Sequence, residues 1–350
     1  VLCALFCFMA LSGSEAAARN TAALHVGSMI AFYVPWDGEA RADLTSHAGD
    51  LGIFSPQWIS LKASDGTLTV LPDDATVTAL SQFPQPPLVM PLVTNAHDGI
   101  WDAAAAEAAI TKPDAWRAVL GALVELATQR GFRGYVFDFE NLSPAAVTAL
   151  PGFLQDARAA FSPGHIEAMI AVPLGSADWP LKALQDTGAT VVLMAYDECW
   201  AGSTPGPIAG EDWFLMTLSS RLSGLDPAKV IVALGSYAYD WPKGQRAAVL
   251  SVAQANALAQ SSGATIASTA PVLNPAFAYE APDGVPHTVW MLDAPTFAAE
   301  RAIALRSHVK GVALWRLGLE DPAIWARGEH LTPRRHPVPA NTGPVCTPLP

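Results

Sequence analysis

Short apolar runs recur along the chain, separated by Ala- and Leu-rich stretches with helical spacing. The runs are SMIAFYVPW (28–36), LGIFSPQWISL (51–61), PLVMPLVTN (87–95), GYVFDFE (134–140), IEAMIAVPL (166–174), ATVVLMAYD (189–197), KVIVALGSY (229–237) and VKGVALWRL (309–317). Most lack strict alternation, as expected for parallel strands covered on both faces. Helical patterns lie between several of them, as in DAWRAVLGALVELATQRG (114–131), GEDWFLMTLSSRLSG (210–224) and APTFAAERAIALRSH (294–308). Each opens near an acid or a small residue, and the first two close at Gly. Eight strands alternating with helices predict an α/β fold, the (β/α)8 TIM barrel. The competing architecture is a doubly wound open sheet. No G-x-G-x-x-G follows the first run, which weakens a dinucleotide-binding version of it. Between Tyr237 and Val309 the spacing stretches. There AFAYEA and HTVWML flank the turn PDGVP, which predicts a small β-hairpin inserted between strands seven and eight.

The ends read differently. VLCALFCFMALSGSEAAARN opens with thirteen uncharged residues, Val1 to Gly13. That is short of the ~20 apolar residues a membrane span needs. It has the length of a signal-peptide core, although no positive segment precedes it. Residues 1–20 are therefore expected to be a signal peptide or membrane anchor, with a buried N-terminal helix as the other reading. Residues 25–328 form the barrel, and 329–350 a Pro-rich tail or linker that suits membrane tethering or fusion to further domains. The expected location is secreted, periplasmic or facing the cell envelope.

Composition narrows the chemistry. Half of the 350 residues are apolar and 15% are charged, enough for a substantial core. The net charge is −12 and no basic stripe is visible, which argues against nucleic acid as partner. A neutral polymer such as a carbohydrate fits better. The eight His show no H-x-x-x-H or H-E-x-x-H spacing, so neither a catalytic metal nor another cofactor is expected. Cys3 and Cys7 fall in the signal-like segment. Cys199 and Cys346 give no metal spacing, and the sequence leaves a bridge between them open. No His accompanies Cys199 at a recognised spacing, so a thiol nucleophile is not expected.

The fourth run, RGYVFDFENL, ends in two acids. Residues two apart on a strand share a face, so Asp138 and Glu140 would point together at the C-terminal end of strand four. That end of a barrel carries the active site. Burying two carboxylates is costly, and crowding them raises one pKa, which suits a general acid near neutral pH. A second D-x-E, Asp37 and Glu39 in PWDGEA, sits in a Gly-containing loop and is expected to be solvated.

FRGYVFDFE resembles the strand-four signature of glycoside hydrolase family 18, the chitinase-like barrels. AFYVPW resembles the family's strand one, LMAYDECW its strand six, IVALGSYAYDW its strand seven and GVALWRLGLED its strand eight. The likeness is closest to the spore-cortex-lytic N-acetylglucosaminidase branch and to the family-18-like domain of bacterial polysaccharide deacetylase and glycosyltransferase proteins. It implies hydrolysis or transglycosylation of β-1,4-linked N-acetylglucosamine glycans, peptidoglycan among them, by a retaining, substrate-assisted route. Glu140 would be the acid/base, and Asp138 would hold the substrate's acetamido N–H. Tyr196 would bind its oxygen, Asp197 would orient the sugar, and Trp315 would form the floor under it. Trp36, Tyr33, Tyr237 and Asn95, near strand ends, are further candidate substrate contacts. Core packing is the expected role for at least half of Trp36, Trp58, Trp179, Trp200 and Trp315, with Trp315 assigned to the site. The pattern departs from the family at Arg133 and Val136, where two acids are expected. The missing acid under Asp138 supports an alternative, a catalytically weak or inactive carbohydrate-binding barrel.

Overall fold

The computed structural model describes residues 29–61, 67–97, 99–269, 272–326 and 346–349. The signal-like segment and most of the Pro-rich tail lie outside the described residues. The eight apolar runs form eight parallel strands: β1 (Met29–Tyr33), β2 (Leu51–Leu61), β3 (Leu92–Thr94), β4 (Gly134–Asp138), β5 (Glu167–Pro173), β6 (Thr190–Met194), β7 (Val230–Gly235) and, after the insertion, the last barrel strand (Gly311–Trp315). Each pairs with the next, and the last pairs with β1, which closes the barrel. Helices such as Pro113–Arg130, Pro144–Phe161 and Ala294–Arg306 surround it.

Closure explains why the runs are apolar on both faces. Ile30, Phe32, Ile53, Leu92, Val136 and Met169 fill the barrel interior. Ala31, Phe54, Val93, Tyr135, Phe137 and Ile170 point outward into the layer shared with the helices. Strand β4 shows the division most plainly. The Tyr135 hydroxyl donates to the Leu123 carbonyl at 2.7 Å. Phe137 packs edge-on against Phe153, centroids 5.0 Å apart, and Phe139 joins the same group. These three aromatics hold the strand's outer face, so Val136 and Asp138 turn inward. Gly134 opens the strand because a Cβ there would lie 2.5 Å from the Glu167 carbonyl oxygen.

The insertion is larger than a hairpin. AFAYEA and HTVWML do form a hairpin, turned at Gly284. Two further strands extend it, and the helix Val252–Ser262, with a Ser251/Gln254 capping box, covers one face. In chain order the four strands are β8 (Ala238–Pro242), β9 (Ala248–Leu250), β10 (Ala276–Glu280) and β11 (Pro286–Met291), and the last barrel strand is β12. The seventh apolar run ended at Tyr237, and β8 follows it at once. Both pieces are buried, so burial does not mark the change of sheet.

Cys199 and Cys346 are bonded, with Cα atoms 5.2 Å apart. The bond carries the described end of the chain back to the loop after β6. There the Thr204 N–H donates to the Thr347 carbonyl and the Leu349 N–H to the Gly202 carbonyl, both at 2.8 Å. Among the described residues no helix is long and apolar enough to cross a membrane.

Candidate active site

Asp138 ends β4 and is 3% exposed. Its Oδ1 has no hydrogen-bond partner among the described residues. Burial pushes its pKa up to about 7. Directly below it on the same face is Val136, 1% exposed and flanked in register by Leu92 and Met169. No acid stands where the family pattern has one, and Asp138 has no donor from beneath. Glu140 lies at the mouth of the barrel. Its pKa is pushed up to about 9 by burial first, then by the charges of Asp138 and Asp197. Unlike environments thus separate two neighbouring carboxyls, the arrangement that sorts an acid from an anion.

Asn95 was expected to touch substrate, but the structure corrects this. It is fully buried. Its Oδ1 accepts the Glu140 N–H at 3.0 Å, and its Nδ2 donates to the Glu140 carbonyl at 2.9 Å and to the Asp102 carbonyl at 3.0 Å. Asn95 therefore holds the backbone that carries Glu140. Tyr33 is also corrected. It is 0% exposed and points outward, packed on Phe54 at 5.2 Å, away from the barrel mouth. Phe32, its neighbour, takes the inward position and packs against Trp315. Asp37, expected to be solvated, caps the helix Gly38–His47 and pairs with Arg316 at 2.6 Å.

Tyr196 follows β6 and stacks on Trp315, the last residue of β12, at 6.1 Å and 19°. The phenol is buried, which raises its pKa, as do the nearby carboxylates, so it remains a donor at any ordinary pH. Asp197 takes a left-handed φ of 60°, a conformation uncommon outside Gly that Asn, Asp and His adopt most readily. Its Oδ1 accepts the Tyr237 hydroxyl at 2.5 Å and the Tyr239 hydroxyl at 3.0 Å. Tyr237 is fully occupied in this way and is buried, so its observed role is to fix Asp197. Tyr239 was missed in the sequence; the two-residue spacing in SYAYD was the available signal. Trp36 is 69% exposed, free at the rim after β1.

A groove opens on both sides of Glu140. One cavity of about 600 Å³ runs over Leu142, Thr148, Asp178 and Trp179. A second of about 430 Å³ is lined by Tyr196, Asp197, Glu198, Trp200 and Trp213. Both share Glu140, Pro173 and Ser176. No group of three or more metal-ligating side chains occurs among the described residues.

No family model matches the chain. The cortical fragment-lytic enzyme of Bacillus subtilis is 26% identical over 301 residues, covering 82% of this chain and 68% of that protein. Among solved structures, the chitinase of Chromobacterium violaceum has a TM-score of 0.77 at 26% identity, covering 85% of this chain and 96% of that one. The spore cortex-lytic enzyme SleL of Bacillus megaterium shares the fold, with a TM-score of 0.76 at 23% identity, covering 85% and 72%. The likeness to chitinase-like and cortex-lytic barrels carried by the sequence motifs is thus found again over more than four-fifths of the chain and in its fold.

Proposed function

We propose that this glycosidase of the family-18 type cleaves β-1,4-linked N-acetylglucosamine glycans by a retaining, substrate-assisted mechanism. The observation that carries the reading is the meeting of Asp138, Glu140, Tyr196 and Trp315 at one barrel mouth. Glu140, protonated at neutral pH, gives its proton to the glycosidic oxygen. The acetamido carbonyl oxygen of the reacting sugar attacks C1 as the C1–O bond breaks, which forms an oxazolinium ion. Asp138, as the anion, holds the acetamido N–H and balances the positive charge. Tyr196 donates to the acetamido oxygen, and the Trp315 face carries the sugar ring. Glu140, now ionised, takes a proton from water, which adds to C1 from the original face. Trp36 offers a stacking face for a more distant unit. The disulfide favours an oxidising compartment and so supports an exported protein.

The test is stereochemical. Proton NMR of the first product from an N-acetylglucosamine oligomer should show the β anomer, and N-trifluoroacetyl substitution should slow turnover by weakening the internal nucleophile. An α product would sink the mechanism. The orphaned Asp138 Oδ1 above Val136 favours the second reading, a barrel that binds glycan without cutting it. That reading requires affinity with no turnover on any such oligomer.

Asn95 adds a prediction of its own. Asn95→Ala should lower kcat about 100-fold with KM within a few-fold, because an ångström of displacement at Glu140 costs that much. A fall in thermal stability with kcat unchanged would make its role structural only.

A further inference from the structure

We propose that Glu198 is a further substrate-binding residue, which donates a hydrogen bond from Oε1 to an oxygen of the sugar chain in the cavity bordered by Trp200 and Trp213. This rests on the glycosidase reading above and adds a contact to the same site. The cavity, about 430 Å³, is within the range of small-ligand sites. Tyr196 and Asp197 line it too, so the unit that Glu198 meets is the reacting sugar or one joined to it.

Both ends of the residue are held. The Glu198 N–H donates to the Ile208 carbonyl, and Oε2 accepts the Gly210 N–H, both at 2.8 Å. Gly210 is the N-cap of the helix Glu211–Leu222, so the carboxyl is fixed to a rigid element. Oε1 has no hydrogen-bond partner among the described residues, on a side chain that lines the cavity. Burial pushes the carboxyl's pKa up to about 7; the Gly210 N–H works against that shift, and the charge of Asp212 adds to it. Below that pH the neutral acid prevails. With Oε2 accepting from Gly210, the proton belongs on Oε1. The charged groups around it are Asp212 from the helix Glu211–Leu222, Asp197 from its own loop and Glu140 from the end of β4. Arg246, from the turn between β8 and β9, lies near Trp200 and Gly202 but is exposed and outside the lining, which holds no Lys, Arg or His. Tyr196 already serves the acetamido oxygen, and two phenols occupy Asp197. Glu198 has no such task. A neutral glycan brings hydroxyl and carbonyl acceptors, which a neutral acid meets without a charge to desolvate, while the two indoles give apolar faces to the ring.

The donor is present below about pH 7 and is lost as pH rises through it, while the Gly210 bond survives in both forms. Glu198→Gln keeps both: its amide oxygen accepts from Gly210, and its NH2 donates at every pH. Calorimetry of the N-acetylglucosamine tetramer on the Glu140→Gln protein, which does not cleave it, supplies the test. Glu140 is already uncharged below about pH 9, so that change leaves the local charge as it is. The same protein with Glu198→Gln added is the comparison, and the contribution of Asp138 is common to the two. They should bind the tetramer equally at about pH 6. At about pH 8 the protein carrying Glu198→Gln should bind about threefold more tightly, the worth of one net hydrogen bond between neutral groups. A role confined to holding Gly210 gives the same ratio at both pH values, since acid, carboxylate and amide all accept that bond. That result, weaker binding by Glu198→Gln at the higher pH, or no binding by its parent would each overturn the assignment. Turnover by wild type reports separately: its absence, with these affinities as expected, removes the glycosidase reading and leaves Glu198 a binding residue.

Discussion

Glu140→Gln is expected to lower kcat on N-acetylglucosamine oligomers by about a thousandfold or more, with affinity for the oligomer within a few-fold of wild type. The amide fills the same space and can still accept hydrogen bonds, but it has no proton to give. The pH profile should carry the same signature. Asp138 must be ionised to balance the oxazolinium charge, so activity is lost as pH falls through about 7. Glu140 must be protonated to act as acid, so activity is lost as pH rises through about 9. The two groups titrate as a pair, and kcat/KM should be bell-shaped with a maximum near the middle of that window. In Glu140→Gln the alkaline limb should vanish from whatever turnover remains. Steady-state kinetics across pH on both proteins checks this. Equal turnover by the two proteins would remove Glu140 from the chemistry. Binding by both with cleavage by neither would favour the inactive barrel.

Removing the disulfide is the second large effect. Cys346→Ser should lower stability by about 2–5 kcal/mol, since the bond closes a long loop in the unfolded chain. The separation of 147 residues puts it toward the upper part of that range. The melting temperature should fall by about 3–7 °C, and wild type treated with reductant should match the variant. The consequence should extend to the site. The bonded segment holds the loop in which Ser203 Oγ accepts the Trp200 N–H at 3.1 Å. Glu198 and Trp200 on that loop line the second cavity, so oligomer affinity should weaken along with stability. Identical melting curves for the variant and wild type would show that the bond closes a loop already held by other contacts.

Much of this was legible beforehand. The eight runs became the eight strands because a strand buried on both faces must be apolar throughout, whatever its neighbours. Asp138 and Glu140 could be assigned to one end of one strand from their spacing alone. The inserted hairpin was visible because its turn residues are local. Its partners β8 and β9 were not, because β8 follows directly on the seventh run, β9 is a short, mostly exposed strand, and both pair across the insertion.

The sequence by itself determined the eight strands alternating with helices and the acid-bearing strand, where Tyr135, Phe137 and Phe139 alternate with Val136, Asp138 and Glu140. These are short-range facts of period and spacing. Only the tertiary structure decided which of Phe32 and Tyr33 faces inward, because barrel register, and not residue type, sets that choice. It alone brought Asn95 to the backbone of Glu140, Tyr237 and Tyr239 to Asp197, and Cys346 to Cys199. Those contacts join residues 45, 40, 42 and 147 positions apart. At such separations the chain's path through the closed barrel decides who meets, and local patterns carry no trace of it.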